Sequence, residues 1–343
     1  MSVICFNLIW IGIFAAMGYA GYHLAGRSAY SDAIALLWRR RRVRISFYVI
    51  VLYFTIGFLD QIRIPGTGTA RELSLIDLAF APVPQERTYS APFADTASGV
   101  TPGTEGDERN RVRGFHILGT DVNGYDVMYT VFKGAGTALI LAFGTGFISY
   151  PIGVMLGILA GFFGGRIDDA IQWLYTTVAS IPWLLFVIAF LMVFGRELYW
   201  ICVAFGITSW VGIARLIRGE TLKLKQMDYI TAAKASGIPI ARVLYRHLFP
   251  NLIYLVIIDF TLFISHIILA ESVLTFIGIG VAPGTSSWGV MLVEAQKELM
   301  RSPAIWWIFA GGSFAGILPL VLSLNVFGDS LRDALDPRLR GRS

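Results

Sequence analysis

Asn251-Leu-Ile-Tyr-Leu-Val-Ile-Ile-Asp259-Phe-Thr-Leu-Phe-Ile-Ser-His266-Ile-Ile-Leu-Ala-Glu271-Ser-Val-Leu-Thr-Phe-Ile-Gly-Ile279 is the stretch that decides the fold. It carries two acidic side chains and one histidine, and no alternation of apolar with polar residues. A helix rises about 1.5 Å per residue, so about 20 residues cross a hydrocarbon core some 30 Å thick. This run is long enough to do so. Working outward, comparable runs occupy 3–25, 45–62, 137–163, 171–194, 200–217 and 304–327, which makes seven with 251–279. A barrel would show alternating segments of about ten residues, whereas these runs are continuous and several contain Gly or Pro, as membrane helices allow. The expected fold class is all-α, a polytopic membrane helix bundle. Composition agrees: of 343 residues, 55% are hydrophobic and 15% charged, against about 25% charged in soluble domains.

The charge pattern orients the bundle. Arg27, Arg39, Arg40, Arg41, Arg42 and Arg44 face a single acid, Asp32, between the first two runs, and such loops stay cytoplasmic. Counting forward puts 63–136, 195–199 and 280–303 outside, and 164–170, 218–250 and the tail 328–343 inside. Arg215, Arg218, Lys223, Lys225, Lys234, Arg242 and Arg246 then fall inside, as do Arg332, Arg338, Arg340 and Arg342. The N-terminus is expected outside and the C-terminus in the cytoplasm. Positive-inside sorting also accounts for the net charge of +5, so nucleic acid is set aside as a partner. Run 3–25 lacks a basic leader and a small-residue cleavage site, so it is expected to be a retained span. Within 63–136, four Pro and three Gly between 81 and 106 predict an irregular loop.

Three sets of residues stand out inside the membrane runs. Thr145, Ser149, Gly153, Gly157, Gly161 and Gly165 recur every fourth position, a spacing that lets a second helix approach closely; ordinary packing competes here with a substrate groove. Asp259, His266 and Glu271 sit at bilayer depth, where a charge costs roughly 2.5 kcal/mol or more and faces protein or water. At about 100° per residue Asp259 and His266 share a face and Glu271 lies about 120° round. They either line a pathway or brace neighbouring helices. Cys5 and Cys202 lie in apolar runs, and His23, His116 and His247 are isolated in sequence. No metal-spaced set, hydrolase motif or phosphate loop occurs, so neither a bound metal nor catalysis is expected.

The loop 218–250 has its own grammar. In Asp228-Tyr-Ile-Thr231-Ala232-Ala233-Lys-Ala-Ser-Gly237-Ile-Pro239, Asp228 suits an N-cap, the alanines favour helix, Gly237 suits the position just past a helix end, and Pro239 opens the next helix. A short helix with small side chains fits a groove on another protein or packs on its own bundle.

Thr231-Ala-Ala-Lys-Ala-Ser-Gly237, nine residues and then His247-Leu-Phe-Pro250 resemble the cytoplasmic coupling motif of bacterial ABC importer permeases, EAA, three residues, Gly, nine residues, Ile, any residue, Leu-Pro. Ala232, Ala233, Gly237 and Pro250 match; Thr231, His247 and Phe249 stand for Glu, Ile and Leu. Arg246-His247 before Leu-Phe-Pro-Asn251 is similar to the peptide-transporter version. Leu118-Gly-Thr-Asp-Val-Asn-Gly-Tyr-Asp-Val127, Gly161–Asp168, Leu269–Gly278, Ser287-Trp-Gly289 and Asp333-Ala-Leu-Asp-Pro-Arg338 also resemble segments of the C-type subunit of the oligopeptide and dipeptide permeases, in order. The resemblance covers about 33–340.

The resemblance implies a six-helix permease core preceded by one extra N-terminal transmembrane helix. On that frame 1–32 is the extra segment, 33–62 the first core helix, 63–136 an external loop, and 137–327 the five remaining helices. It implies a bacterial inner-membrane location and a non-catalytic transport subunit. Its partners would be a second permease, two cytoplasmic ATPases that bind ATP and Mg, an extracytoplasmic substrate-binding protein and membrane lipid; no cofactor is held by this chain. Asp228, Thr231, Ala232, Ala233, Gly237, Arg246, His247 and Pro250 would couple to the ATPases. Nickel, glutathione or another small solute is the alternative cargo, and a membrane hydrolase using Asp259 and His266 the alternative class.

Overall fold

Asp126 sets where the longest helix begins. Its Oδ1 accepts hydrogen bonds from the backbone N–H groups of Met128 at 2.6 Å and Tyr129 at 3.3 Å, satisfying donors that a helix start leaves without partners. Helix thus begins ten residues before the apolar run and takes in the end of the expected loop. A computed structural model of the chain describes residues 37–64, 73–98, 111–282 and 284–335; the run 3–25, and with it the extra helix, lies outside them.

In chain order the elements are α1 (Arg41–Gln61), β1 (Arg63–Ile64), β2 (Leu73–Ser74), α2 (Leu75–Phe80), α3 (Val127–Phe163), α4 (Gly165–Ser180), α5 (Trp183–Phe194), α6 (Leu198–Leu224) and α7 (Asp228–Ala235). Then come α8 (Ile240–Phe276), α9 (Trp288–Leu299) and α10 (Trp307–Leu335). Among the described residues, α1, α3, α6, α8 and α10 are long and apolar enough to cross a membrane, and α4 with α5 makes a sixth if the bent pair is one span. The run 171–194 is therefore broken rather than straight: its halves meet at 78°. Pro182 explains the break, because it pushes the preceding residue into extended backbone, where Ile181 lies at φ −82°, ψ 124°.

The chain divides into two units, one made of the residues up to Ile140 with those from Ile268 onward, the other of Leu141–Ile267. In the first, Phe47 of α1 meets Phe327 of α10 with ring centroids 5.9 Å apart, and Val43 is buried with Leu37 and Ala334. Pro319 has no N–H for the carbonyl of Ala315, and the Tyr53 hydroxyl donates to that oxygen at 2.5 Å. Trp288 is buried, its indole N–H donating to Val131 O at 2.9 Å.

The described parts of the expected outer segment 63–136 are tied down at several points, while 81–98 is irregular as expected. β1 and β2 pair antiparallel, and Ser74 with Asp77 forms a reciprocal cap on α2. Lys133 Nζ lies 2.8 Å from Asp60 Oδ1 and 3.1 Å from Asp77 Oδ1. Burial pushes the Asp77 carboxyl up, but the Ser74 N–H, the Tyr129 hydroxyl and Lys133 together hold it below its ordinary value. His116, buried, donates from Nδ1 to Asp126 Oδ2 at 2.8 Å and places Nε2 3.4 Å from Glu86 Oε1. That Glu86 oxygen also accepts from the N–H groups of Arg113 and Gly114.

In the second unit the small-residue stripe is a helix contact. A side-chain carbon added at Gly153, Gly157 or Gly161 would stand 2.7 Å from Trp210 O, 2.7 Å from Ala214 O and 2.8 Å from Arg218 O, all on α6. Packing, not a groove, accounts for these positions. Beyond it Arg218 grips Asp168 with two hydrogen bonds of 2.6 and 2.7 Å, the planar fork matching the carboxylate.

Candidate functional site

The element between α6 and the membrane stretch of α8 begins one residue earlier than the sequence suggests. Met227 occupies the N-cap position, with no side-chain cap, and Asp228 lies in the first turn of α7, where a carboxylate still meets the positive end of the helix dipole. At the other end Gly237 has φ +71°. Its N–H bonds Lys234 O at 3.0 Å, and the Ile238 N–H bonds Ala233 O at 3.2 Å, the paired bonds of a left-handed helix stop. Nothing lies within 4 Å of where a side chain would start, so conformation, not space, demands glycine there.

Pro239 then caps α8, which contains a π-helical turn at Val243–Leu248 just ahead of Pro250. A proline removes one backbone donor, and widening the preceding turn absorbs the mismatch; the Phe249 N–H reaches back five residues to Leu244 O. Asn251 Nδ2 donates to His247 O at 2.6 Å and to the Tyr229 hydroxyl at 3.3 Å, strapping α7 to α8. Burial pushes the Tyr229 phenol above its ordinary value.

The faces of the element differ from the expectation in one respect. Ala233, placed on the partner-facing surface by the sequence, is only 7% exposed. It packs with Ile230, Val243 and Leu248 against Phe162 and Ile217, and Lys234 Nζ sits 4.4 Å over the Phe162 ring. Ala233 is three residues on from Ile230, so both fall on one helix face, and that face is the inward one. Thr231, Ala232, Gly237 and Arg246 are exposed, and His247 and Pro250 are half-buried. Beside them the large apolar side chains Met227, Tyr229, Ile240 and Tyr245 are exposed, Tyr245 at 76%. Tyr229, Ile240 and Tyr245 carry no signal in the motif that would single them out, and Asn251, which closes the motif, shows no partner there; the exposure of these residues and the Tyr229–Asn251 bond emerge only once the chain is folded.

The three membrane-depth residues are not brought together. Tyr150 of α3 donates its hydroxyl to Asp259 Oδ2 at 2.7 Å, while His266, on the same helix face by angle, is exposed. Glu271 is 5% exposed and accepts from the Thr275 hydroxyl at 2.7 Å. It braces packed polar side chains within its own unit and does not line an open surface. Among the described residues no three His, Cys, Asp or Glu side chains cluster to hold a metal.

The family described as "Binding-protein-dependent transport system inner membrane component" matches residues 153–341. The chain is 34% identical over 229 residues to an oligopeptide transport system permease protein of Haemophilus influenzae, covering 67% of this chain and 72% of that one. It is 36% identical over 226 residues to a dipeptide transport system permease protein of Bacillus subtilis, covering 66% and 69%. Over 225 residues it is 34% identical to a glutathione transport system permease protein of Pectobacterium atrosepticum, covering 66% and 73%. Among solved structures it is similar to an inward-facing methionine ABC transporter, with TM-score 0.46, 15% identity, and 60% of this chain and 94% of that chain covered.

Proposed function

Because the chain belongs to the binding-protein-dependent transport system inner membrane components, we propose that it is a pathway-forming permease subunit of an ATP-driven peptide importer. The single observation that carries the coupling role is the element Asp228–Pro250. Its inner face is locked by apolar contacts to α3 and α6, and its outer face offers Tyr229, Ala232, Ile240 and Tyr245 without a covering group. A rigid attachment of that kind transmits force, and an uncovered apolar face of that kind seats in a partner's groove.

In this reading two cytoplasmic ATPases hold ATP and Mg, and an extracytoplasmic protein delivers the cargo to this chain and a second permease. Closure of the ATPases moves the element as a lever and switches the pathway between its two openings. Thr231, Ala232, Gly237, Arg246, His247 and Pro250 belong to that contact, Ala233 supports it from behind, and the Tyr150–Asp259 pair with His266 offers polar groups to a peptide backbone. The N-terminus lies outside and the C-terminus in the cytoplasm. A specific relative favours a second cargo, since the glutathione permease protein is 34% identical to this chain, as similar as the oligopeptide relative.

The test is uptake in vesicles reconstituted with the co-expressed permease pair, ATPases and binding protein. Labelled di- to pentapeptides should accumulate only with ATP and Mg inside the ATPase compartment. Glutathione accumulation without peptide uptake would replace the cargo, and ATP-independent uptake would overturn the coupled-importer reading.

A further inference from the structure

We propose that the N-terminal end of α1 binds the phosphate headgroup of an anionic membrane phospholipid. At about 100° per residue, Arg41, Ile45, Tyr48 and Leu52 fall on one stripe, opposite the buried Val43, Ser46, Ile50 and Gly57. All four stripe residues are exposed, Ile45 at 55%, Tyr48 at 64% and Leu52 at 55%. On a helix apolar enough to span a membrane, an exposed stripe of this kind has acyl chains for neighbours. Arg41 stands one turn, roughly 6 Å, beyond Ile45 along that stripe, which is headgroup depth. Arg44 flanks it. Trp38 and Tyr48, whose rings gather around Phe47 at 5.1 and 6.1 Å, are the amphipathic rings that settle at a membrane interface.

Among the described residues most of the charges at this end have no acidic partner. Arg39, Arg40, Arg41, Arg42 and Arg44 are exposed, and among the described residues only Arg40 has a carboxylate partner, Asp333 at 3.3 Å. No acid lies in the first turn. A helix start carries partial positive charge and disfavours cations, so like charges crowd where each costs most. An anion relieves both repulsions, and guanidinium matches phosphate with paired hydrogen bonds. A phospholipid satisfies the Arg end and the apolar stripe at once, which a free phosphate does not.

The experiment uses the full chain with its accompanying subunits, in nanodiscs of phosphatidylcholine alone or with one-third phosphatidylglycerol, followed by thermal melting and by native mass spectrometry of retained lipid. Wild type should melt higher in the anionic discs and retain phosphatidylglycerol. Arg41→Gln with Arg44→Gln should lose most of that shift, retain the lipid roughly thirtyfold less strongly, and melt like wild type in phosphatidylcholine. Arg41→Lys with Arg44→Lys should keep most of the shift, because charge remains. An unchanged shift in the Gln variant overturns the site. So does a shift reproduced by millimolar inorganic phosphate in phosphatidylcholine discs, which would make it a free-anion site, or loss of the shift only when the ATPase subunits are removed, which would make it a protein contact.

Discussion

Two regions of this chain are anchored by opposite means. The Asp228–Pro250 element is held by apolar burial: Ile230, Ala233, Val243 and Leu248 pack in one cluster with Phe162 of α3 and Ile217 of α6, and its polar contacts are few. The described residues of 74–98 and 111–126 are held by polar bonds. His116 joins Glu86 to Asp126, the Thr120 hydroxyl donates to Thr88 O at 2.9 Å, and the Trp307 indole N–H donates to Thr120 O at 2.9 Å. Apolar contact tolerates small sliding and suits a part that moves against a partner, whereas directional bonds fix one geometry and suit a part that must hold its shape. The contrast predicts different failures when each anchor is cut.

The largest effect is expected at the apolar anchor. Ala233→Glu places a carboxylate without a partner among buried side chains, at a cost of about 3 to 5 kcal/mol, so the chain should express poorly and lose its resistance to proteolysis between α6 and α8. Ala232→Glu, one residue back and exposed, should insert and pair normally yet lose co-purifying ATPase and ATP-driven uptake. Limited proteolysis and co-purification separate the two. Equal behaviour of both variants would break the distinction between the inner and outer faces of α7.

His116→Leu cuts the polar anchor. It leaves Glu86 and Asp126 without the shared ring, and losing such bonds at buried carboxylates costs about 2 to 3 kcal/mol. Because Asp126 also caps α3, thermal melting should fall while ATPase co-purification stays at the wild-type level. A variant that melts normally but loses the ATPase would contradict the separation of roles.

These differences mark where the sequence could be read and where it could not. Five continuous spans and the Gly237 helix stop were legible because apolar length and a left-handed turn are local properties. The break at Pro182 was not read: 171–194 is expected as one continuous run, with proline only tolerated in it. The early start of α3 was not, since Asp126 acts through backbone donors that no hydropathy pattern records. The inward turn of Ala233 was likewise invisible: in an alanine-rich helix both faces look alike, and only Phe162 and Ile217 from distant runs decide which one is buried. Asp259 announced itself as a charge at membrane depth, but its partner Tyr150 belongs to another run, and of the two readings left open for Glu271 the buried, bracing one could not be picked out because its partner Thr275 is an ordinary residue one turn away.

A smaller, pH-dependent effect is expected at Asp77, which belongs to the polar region. Its folded carboxyl lies below the ordinary value, so its contribution is complete above the unfolded value and is lost as pH falls through the folded one. Melting measured down through the acidic range should therefore decline, and Asp77→Asn should flatten that decline. An identical acid slope in the variant would assign the loss to other carboxylates.

The smallest effect is expected at Thr231, and its smallness is informative. The side chain is exposed, and its hydroxyl donates only to Met227 O, one turn back in its own helix, at 3.3 Å. Thr231→Glu removes that weak bond, replaces a β-branched residue with a better helix former, and adds a negative charge in the first half of α7, where the helix dipole favours it. These terms are each a few tenths of a kcal/mol, so stability should stay within about 0.5 kcal/mol of wild type. Glu is also the residue that stands here in the coupling motif the chain resembles, so ATPase co-purification and uptake should be retained. Measured beside Ala232→Glu, the variant distinguishes charge from position. If a carboxylate at 232 uncouples and one at 231 does not, the contact surface runs through Ala232 and passes Thr231 at its edge. If both uncouple, the partner's groove rejects negative charge along the whole outer face of α7, and the contact extends from Thr231 across Ala232.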